Sequence, residues 1–180
     1  MTSVHSFAIG EIVVRAVSPR RTRGLVEWGG VRAPGALGRA GTRFSKRDGD
    51  GATPRGRFVL QRVLYRADRE PRPHTALPVK AIARHDGWCD APADRNYNRP
   101  VDLPYPASAE RMWRDDGLYD IVVVLDHNAR PRIRGAGSAI FIHLARPGYL
   151  PTEGCIALDQ RHLLALLARA RRGAVIRIGV

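Results

Sequence analysis

Apolar residues along this chain come in short runs broken by turn residues, and the runs carry the period of strands more often than that of helices. Ile12–Val17 is rich in β-branched residues and reads as a strand, and Leu25–Trp28 as a second. Gly29-Gly30, Pro34-Gly35, Gly38 and Gly41 then punctuate the chain, which reads as turn and loop. Lys46–Gly51 is a polar loop. Thr53–Leu60, alternating on into Val63 and Tyr65, reads as a hairpin entering a strand. Residues 66–80 are rich in proline and charge and form a loop or a short extended edge, with a short strand at 81–83. From Gly87 to Pro106 there is no period, and Pro92, Pro100, Pro104 and Pro106 interrupt the segment. A long irregular stretch inside a compact domain is usually functional. Ser108–Trp113 reads as a helical turn. The continuous apolar runs Tyr119–Leu125 and Gly137–Leu144 read as buried strands.

The one firm helix is expected near the C-terminus. Asp159 is placed to cap it, Leu163, Leu164, Leu166, Leu167 and Ala170 give it an apolar face, and Gly173 is placed to stop it. Ala174–Ile178 then closes as a strand. There are no internal repeats and no low-complexity linker, so residues 1–180 are read as one mainly β domain with a single helix.

Composition changes this picture little. A hydrophobic fraction of 44% is ordinary for a globular chain. No run reaches the roughly 18 apolar residues that a membrane-spanning helix needs. The first ten residues lack a basic stretch followed by an apolar one, so no export signal is read there. The formal net charge of +13 raises the question of an acidic partner. Its arginines follow no single helix face, which favours general surface charge over a nucleic-acid site. A non-catalytic module binding an acidic polymer is the rival reading, and such binding weakens steeply with salt. Cys89 and Cys155 are too few for a disulfide framework, and no Cys/His spacing suits zinc. No metal or organic cofactor is expected.

The chemistry concentrates in Ile142–Leu158, where a histidine ends an apolar strand, a Pro/Gly loop follows, and Gly154-Cys155 leads towards the helix. A free thiol ionises only near pH 8.5, so a cysteine nucleophile needs a neighbouring imidazole to take or balance its proton. Gly154 permits a tight turn before the sulfur, and the Gly154 and Cys155 amides are candidate oxyanion donors. On spacing alone, a buried apolar cysteine and a core histidine stay open as the alternative.

This segment resembles the active-site motif of the L,D-transpeptidase catalytic domain, the YkuD family. That motif has a histidine after an apolar strand, a variable loop, then Ser/Thr-His-Gly-Cys and a hydrophobic residue. Thr152, Gly154, Cys155 and Ile156 match it, as does the upstream His143, and Thr53-Pro-Arg-Gly-Arg-Phe58 resembles a second element of the family. The resemblance implies a YkuD-type β-sandwich of mixed sheets, with the helix following the Gly-Cys motif. It implies Cys155 as an activated nucleophile, His143 as base, and a thioester acyl-enzyme. It also implies cross-linking of peptidoglycan stem peptides, donor and acceptor, by a monomer serving wall biogenesis and cell shape in the periplasm or cell envelope. Hydrolysis of the same intermediate would make an L,D-carboxypeptidase.

The chain departs from the motif at Glu153, which replaces the second histidine, and at Ala157. Glu153 either holds an acceptor ammonium group or faces solvent. Thr152, Tyr149, Trp88 in the irregular segment, and Arg134, whose fork can grip a carboxylate, complete the expected substrate contacts. His127 is a possible second imidazole.

Overall fold

The computed structural model describes residues 8–16, 18 and 20–179. Its strands are β1 (Ile9–Ala16), β2 (Arg23–Trp28), β3 (Val31–Ala36), β4 (Thr42–Arg43), β5 (Thr53–Pro54), β6 (Gly56–Tyr65) and β7 (Val79–Ala81). They continue with β8 (Asp86–Cys89), β9 (Arg99–Asp102), β10 (Ala109–Arg111), β11 (Ile121–Leu125), β12 (Phe141–Leu144) and β13 (Ile156–Leu158). The helix α1 (Gln160–Arg169) and the strand β14 (Ala170–Ile178) end the chain. The main sheet runs β11-β12-β13-β3-β2-β1-β14-β6, and β6 also pairs with β11, so the sheet closes on itself; β7 adds an edge to β6. Parallel pairs (β1–β14, β12–β13, β6–β7) mix with antiparallel ones. The fold is mainly β, in the sandwich-like closed form expected of this class.

Period-two alternation sorts the strands' side chains between two cores. Ile121, Val123, Leu125, Ile140, Ile142, Ile156 and Leu158 join the inner cluster. Val122, Val124, Ala139, Phe141 and Cys155, one residue out of step, join an outer cluster with Trp88, Met112 and Tyr119. Both faces of β11 are therefore covered, which explains why its five residues read as an unbroken apolar run. Helix α1 sends Leu163, Leu166 and Leu167 into the inner core. Asp159 caps it by accepting from the Arg161 N–H at 3.0 Å.

Several expectations are corrected. Residues 29–41 are not all loop: Gly29 and Gly30, both at positive φ, form a two-residue turn that pairs β2 with β3 along its whole length. Pro34 fits because β13 pairs only with Gly35 and Ala36, leaving β3 without a second neighbour at the proline. Thr53–Leu60 does not fold back as a hairpin; β5 pairs in parallel with β4, and β6 continues for ten residues. The expected strand at 81–83 lies at Val79–Ala81. The segment from Gly87 to Pro106 is irregular only in part: β8 and β9 lie in it and form a small antiparallel sheet with β10, which Ser108–Trp113 supplies in place of a helical turn. Gly173 does not stop the helix. Ala170 turns extended at once, and Gly173 lies inside β14 at φ 73° where the β1 register shifts. Val17, the last residue of the expected first strand, lies outside the described residues.

Candidate functional site

Parallel pairing of β12 with β13 sets the geometry. His143 stands opposite Ala157, and Ile142 opposite Ile156. Ile142 and Ile156 enter the inner core, so the alternate positions Phe141, His143, Cys155 and Ala157 share the outer face. Cys155 and His143 thereby line one cavity of about 370 Å³.

The turn before Cys155 is tightly built. Gly154 has φ 135°, and a Cβ there would lie 2.9 Å from the Ala52 carbonyl oxygen, so both backbone angle and space require glycine. Thr152 Oγ1 donates to the Cys155 carbonyl at 2.6 Å and accepts from the Gly154 N–H at 3.1 Å. The Thr152 main chain is fixed in turn, through N–H to Leu37 O and O from Arg39 N–H. Thr53, from the second motif element, accepts from the Gly38 N–H at 2.8 Å and donates to the Cys155 carbonyl at 3.4 Å. The two separated motifs meet at this turn.

Cys155 is 9% exposed. Its thiol donates to Ala139 O at 3.3 Å, and its sulfur accepts from the Phe141 N–H at 3.4 Å. Burial pushes the thiol up to about 12, with Glu110 adding to the rise and the Phe141 amide, Lys46 and Arg114 opposing it. His143 Nδ1 bonds to Leu144 O at 2.8 Å, which makes Nδ1 the protonated nitrogen and leaves the Nε2 lone pair free in the neutral ring. Burial lowers the imidazole to about 4. The resting pair is neutral thiol and neutral imidazole. Both thiols of the chain are free.

Ala139 holds its carbonyl towards the thiol at φ 51°, which costs an L-residue about 1 kcal/mol or more. Asn98 secures that conformation. Its Oδ1 accepts from the Ala139 N–H at 3.1 Å and from Trp88 Nε1 at 3.0 Å, while its Nδ2 donates to His127 O and Asn128 O, each at 3.0 Å.

Thr152 and Glu153 also line the cavity. Trp88 does not: it is 5% exposed, packed edge to face on Phe141, and it forms the wall behind the site. Arg134 is exposed on the loop before β12, and Tyr149 sits in the following loop at φ 54°; neither lines the cavity. Glu153 is exposed and ion-pairs with Arg39 at 2.8 Å. His127 Nε2 is bonded to Ala136 O at 3.0 Å and lies outside the lining.

Sequence reasoning missed Lys46, Asp48, Asp90, Glu110, Arg114 and Tyr119, which supply half of the polar lining residues. Lys46 is buried in an ion pair with Asp50 at 2.5 Å. A buried lysine in a Gly/Asp loop reads as solvated from the sequence, and no periodicity marks it. Among the described residues, His85, Asp86 and Asp102 form one group with ligand spacing for a cation, but Lys80 Nζ already sits 3.2 Å from Asp86.

The family model of YkuD, the L,D-transpeptidase catalytic domain, matches residues 11–178. The chain belongs to this family, whose members act in peptidoglycan metabolism at the cell envelope. No curated protein and no solved structure gives a significant match. Among the described residues, no helix is long and apolar enough to cross a membrane.

Proposed function

We propose that the chain is a cysteine-dependent L,D-transpeptidase that cross-links peptidoglycan stem peptides outside the cytoplasm, with Cys155 as nucleophile and His143 as general base and acid. The observation that carries this reading is the shared outer face of β12 and β13, which opens both side chains into one cavity. Cys155 Sγ attacks the carbonyl of the third residue of a donor stem while His143 Nε2 accepts the thiol proton. With the thiol near 12 and the imidazole near 4, a standing thiolate–imidazolium pair is disfavoured. Proton transfer therefore accompanies C–S bond formation. The Gly154 amide is already engaged by Thr152, so the Cys155 amide is the donor of the pair left for the oxyanion.

Collapse of the adduct expels the fourth residue as an amine, which takes the proton from His143. An acceptor amine then attacks the thioester, gives its proton to His143, and the sulfur leaves and is reprotonated. Water in place of the amine gives the carboxypeptidase reaction. Among the expected substrate contacts, Thr152 serves by building the Cys155 turn, and Glu153 at the cavity edge is bound by Arg39 rather than left free for an ammonium group.

The test is turnover of purified tetrapeptide stems, read as release of the terminal residue and as joined against hydrolysed product. Cys155→Ala is expected to abolish release, and Cys89→Ala to retain most of it. Release by Cys155→Ala at the parent rate would contradict the assignment.

A further inference from the structure

One polar arrangement in the cavity has no part in the steps above. Glu110 lies on β10, opposite Trp88 of β8, and lines the cavity with Arg114, Tyr119, His143 and Cys155. Its Oε1 accepts the Tyr119 hydroxyl at 2.5 Å, and Arg114 Nη1 stands 3.8 Å from the same oxygen. Tyr119 is 5% exposed, and its ring meets the His143 ring edge to face with centroids 5.4 Å apart. The Arg114 guanidinium lies over the Tyr119 ring, 5.0 Å from its centroid.

His143 is itself buried, at 7% exposed. Its Nδ1 bond goes to the carbonyl of the next residue, and its partner across the ladder is Ala157, whose methyl group is too small to hold a ring. A general base must keep its lone pair within hydrogen-bond reach of the proton it takes. The Tyr119 ring packs edge to face on the imidazole, and Glu110 holds the far end of Tyr119.

We propose that Glu110 is a positioning residue for the thiol site. Acting through the Tyr119 hydroxyl, it fixes the ring against which His143 is seated and so aligns the imidazole on Cys155. This inference rests on the Cys155–His143 pairing proposed above. The charged groups around Glu110 are Arg114, which opposes its rise, and Asp90 and Asp116, which add to it; burial raises the carboxyl most. Lys46 and Arg114 are the cations that act on Cys155. Replacing Glu110 by glutamine separates position from charge, because the amide oxygen still accepts from Tyr119.

The experiment measures alkylation of Cys155 by iodoacetamide in the folded full-length chain, resolved from Cys89 by peptide mapping, beside kcat and KM for stem peptides. His143→Ala sets the floor. Tyr119→Phe and Glu110→Ala are each expected to slow alkylation and kcat by about tenfold, with KM unchanged, since misplacing a catalytic group by about 1 Å can cost up to about 100-fold. The double variant is expected to be no slower than the slower single one, and Glu110→Gln to restore most of what alanine loses. Multiplying losses in the double variant, or glutamine failing with alanine, would overturn the proposal, as would His143→Ala alkylating at the parent rate. If Glu110→Ala does not fold, Tyr119→Phe and Glu110→Gln decide alone: a slow phenylalanine variant beside a normal glutamine one supports it, and two normal rates overturn it. Alkylation needs no substrate. If Cys155→Ala keeps turnover while the alkylation pattern holds, the substrate reading fails and the positioning role stands.

Discussion

The inner and outer cores are built from the same strands yet do different work. The inner one is built mostly of β-branched and leucine side chains, with α1 packed into it. The outer one mixes Phe141, Met112, Trp88 and Val124 with the Cys155 thiol and the Tyr119 hydroxyl, and the buried His143 stands beside it. A lid of short strands covers it and leaves a cavity. Register alone decides which role a residue takes, because successive residues of β12 and β13 face opposite ways. Stability is concentrated on one face and chemistry on the other, one residue apart.

That division is sharpest under substitution of the inner core. Leu166 is fully buried, so Leu166→Ala is expected to cost about 2–5 kcal/mol. Urea unfolding measures this, and turnover per folded molecule should stay at the parent value. A collapse of turnover without loss of stability would break the comparison.

The next effect is the acid limb of stability. The His143 imidazole falls from 6.5 in the unfolded chain to about 4 in the fold. Between those values the unfolded chain binds the extra proton, so stability falls as pH drops through that window. The contribution is on the order of 3 kcal/mol by pH 4. His143→Gln is expected to flatten this limb in unfolding experiments between pH 7 and 4. The thiol runs the other way: its rise to about 12 makes Cys155 a source of lost stability only above about pH 9.

Legibility in the sequence followed the same division. β1, β2, β11, β12, α1 and β14 were visible because apolar residues there repeat with strand or helix period. The outer sheet was not, since β8, β9 and β10 are short, interrupted by Pro100, and packed with polar residues that make no period. β3 hid behind Pro34 and Gly35, which signal loop locally, although the proline is tolerated where the strand has one neighbour. Cys155, His143 and the Thr152-Gly154 turn were legible because the motif lies in one contiguous stretch. Lys46 and the Glu110–Tyr119 stretch reach the cavity from segments far from that motif, and no local pattern records that convergence.

The smallest effect is expected at the departure from the family motif. The Glu153–Arg39 pair is exposed on both sides, so Glu153→Gln should change stability by at most about 0.5 kcal/mol. A larger loss in thermal unfolding would show that this pair braces the Cys155 turn.

The central claim is that Cys155 carries the acyl group. Intact mass spectrometry after mixing the protein with purified tetrapeptide stems tests it most directly. The account predicts a mass increase equal to the stem shortened by its fourth residue, located to the peptide containing Cys155, released by hydroxylamine and absent from Cys155→Ala. Release of the fourth residue with no such adduct on the parent protein, or an adduct that maps to Cys89, would contradict it.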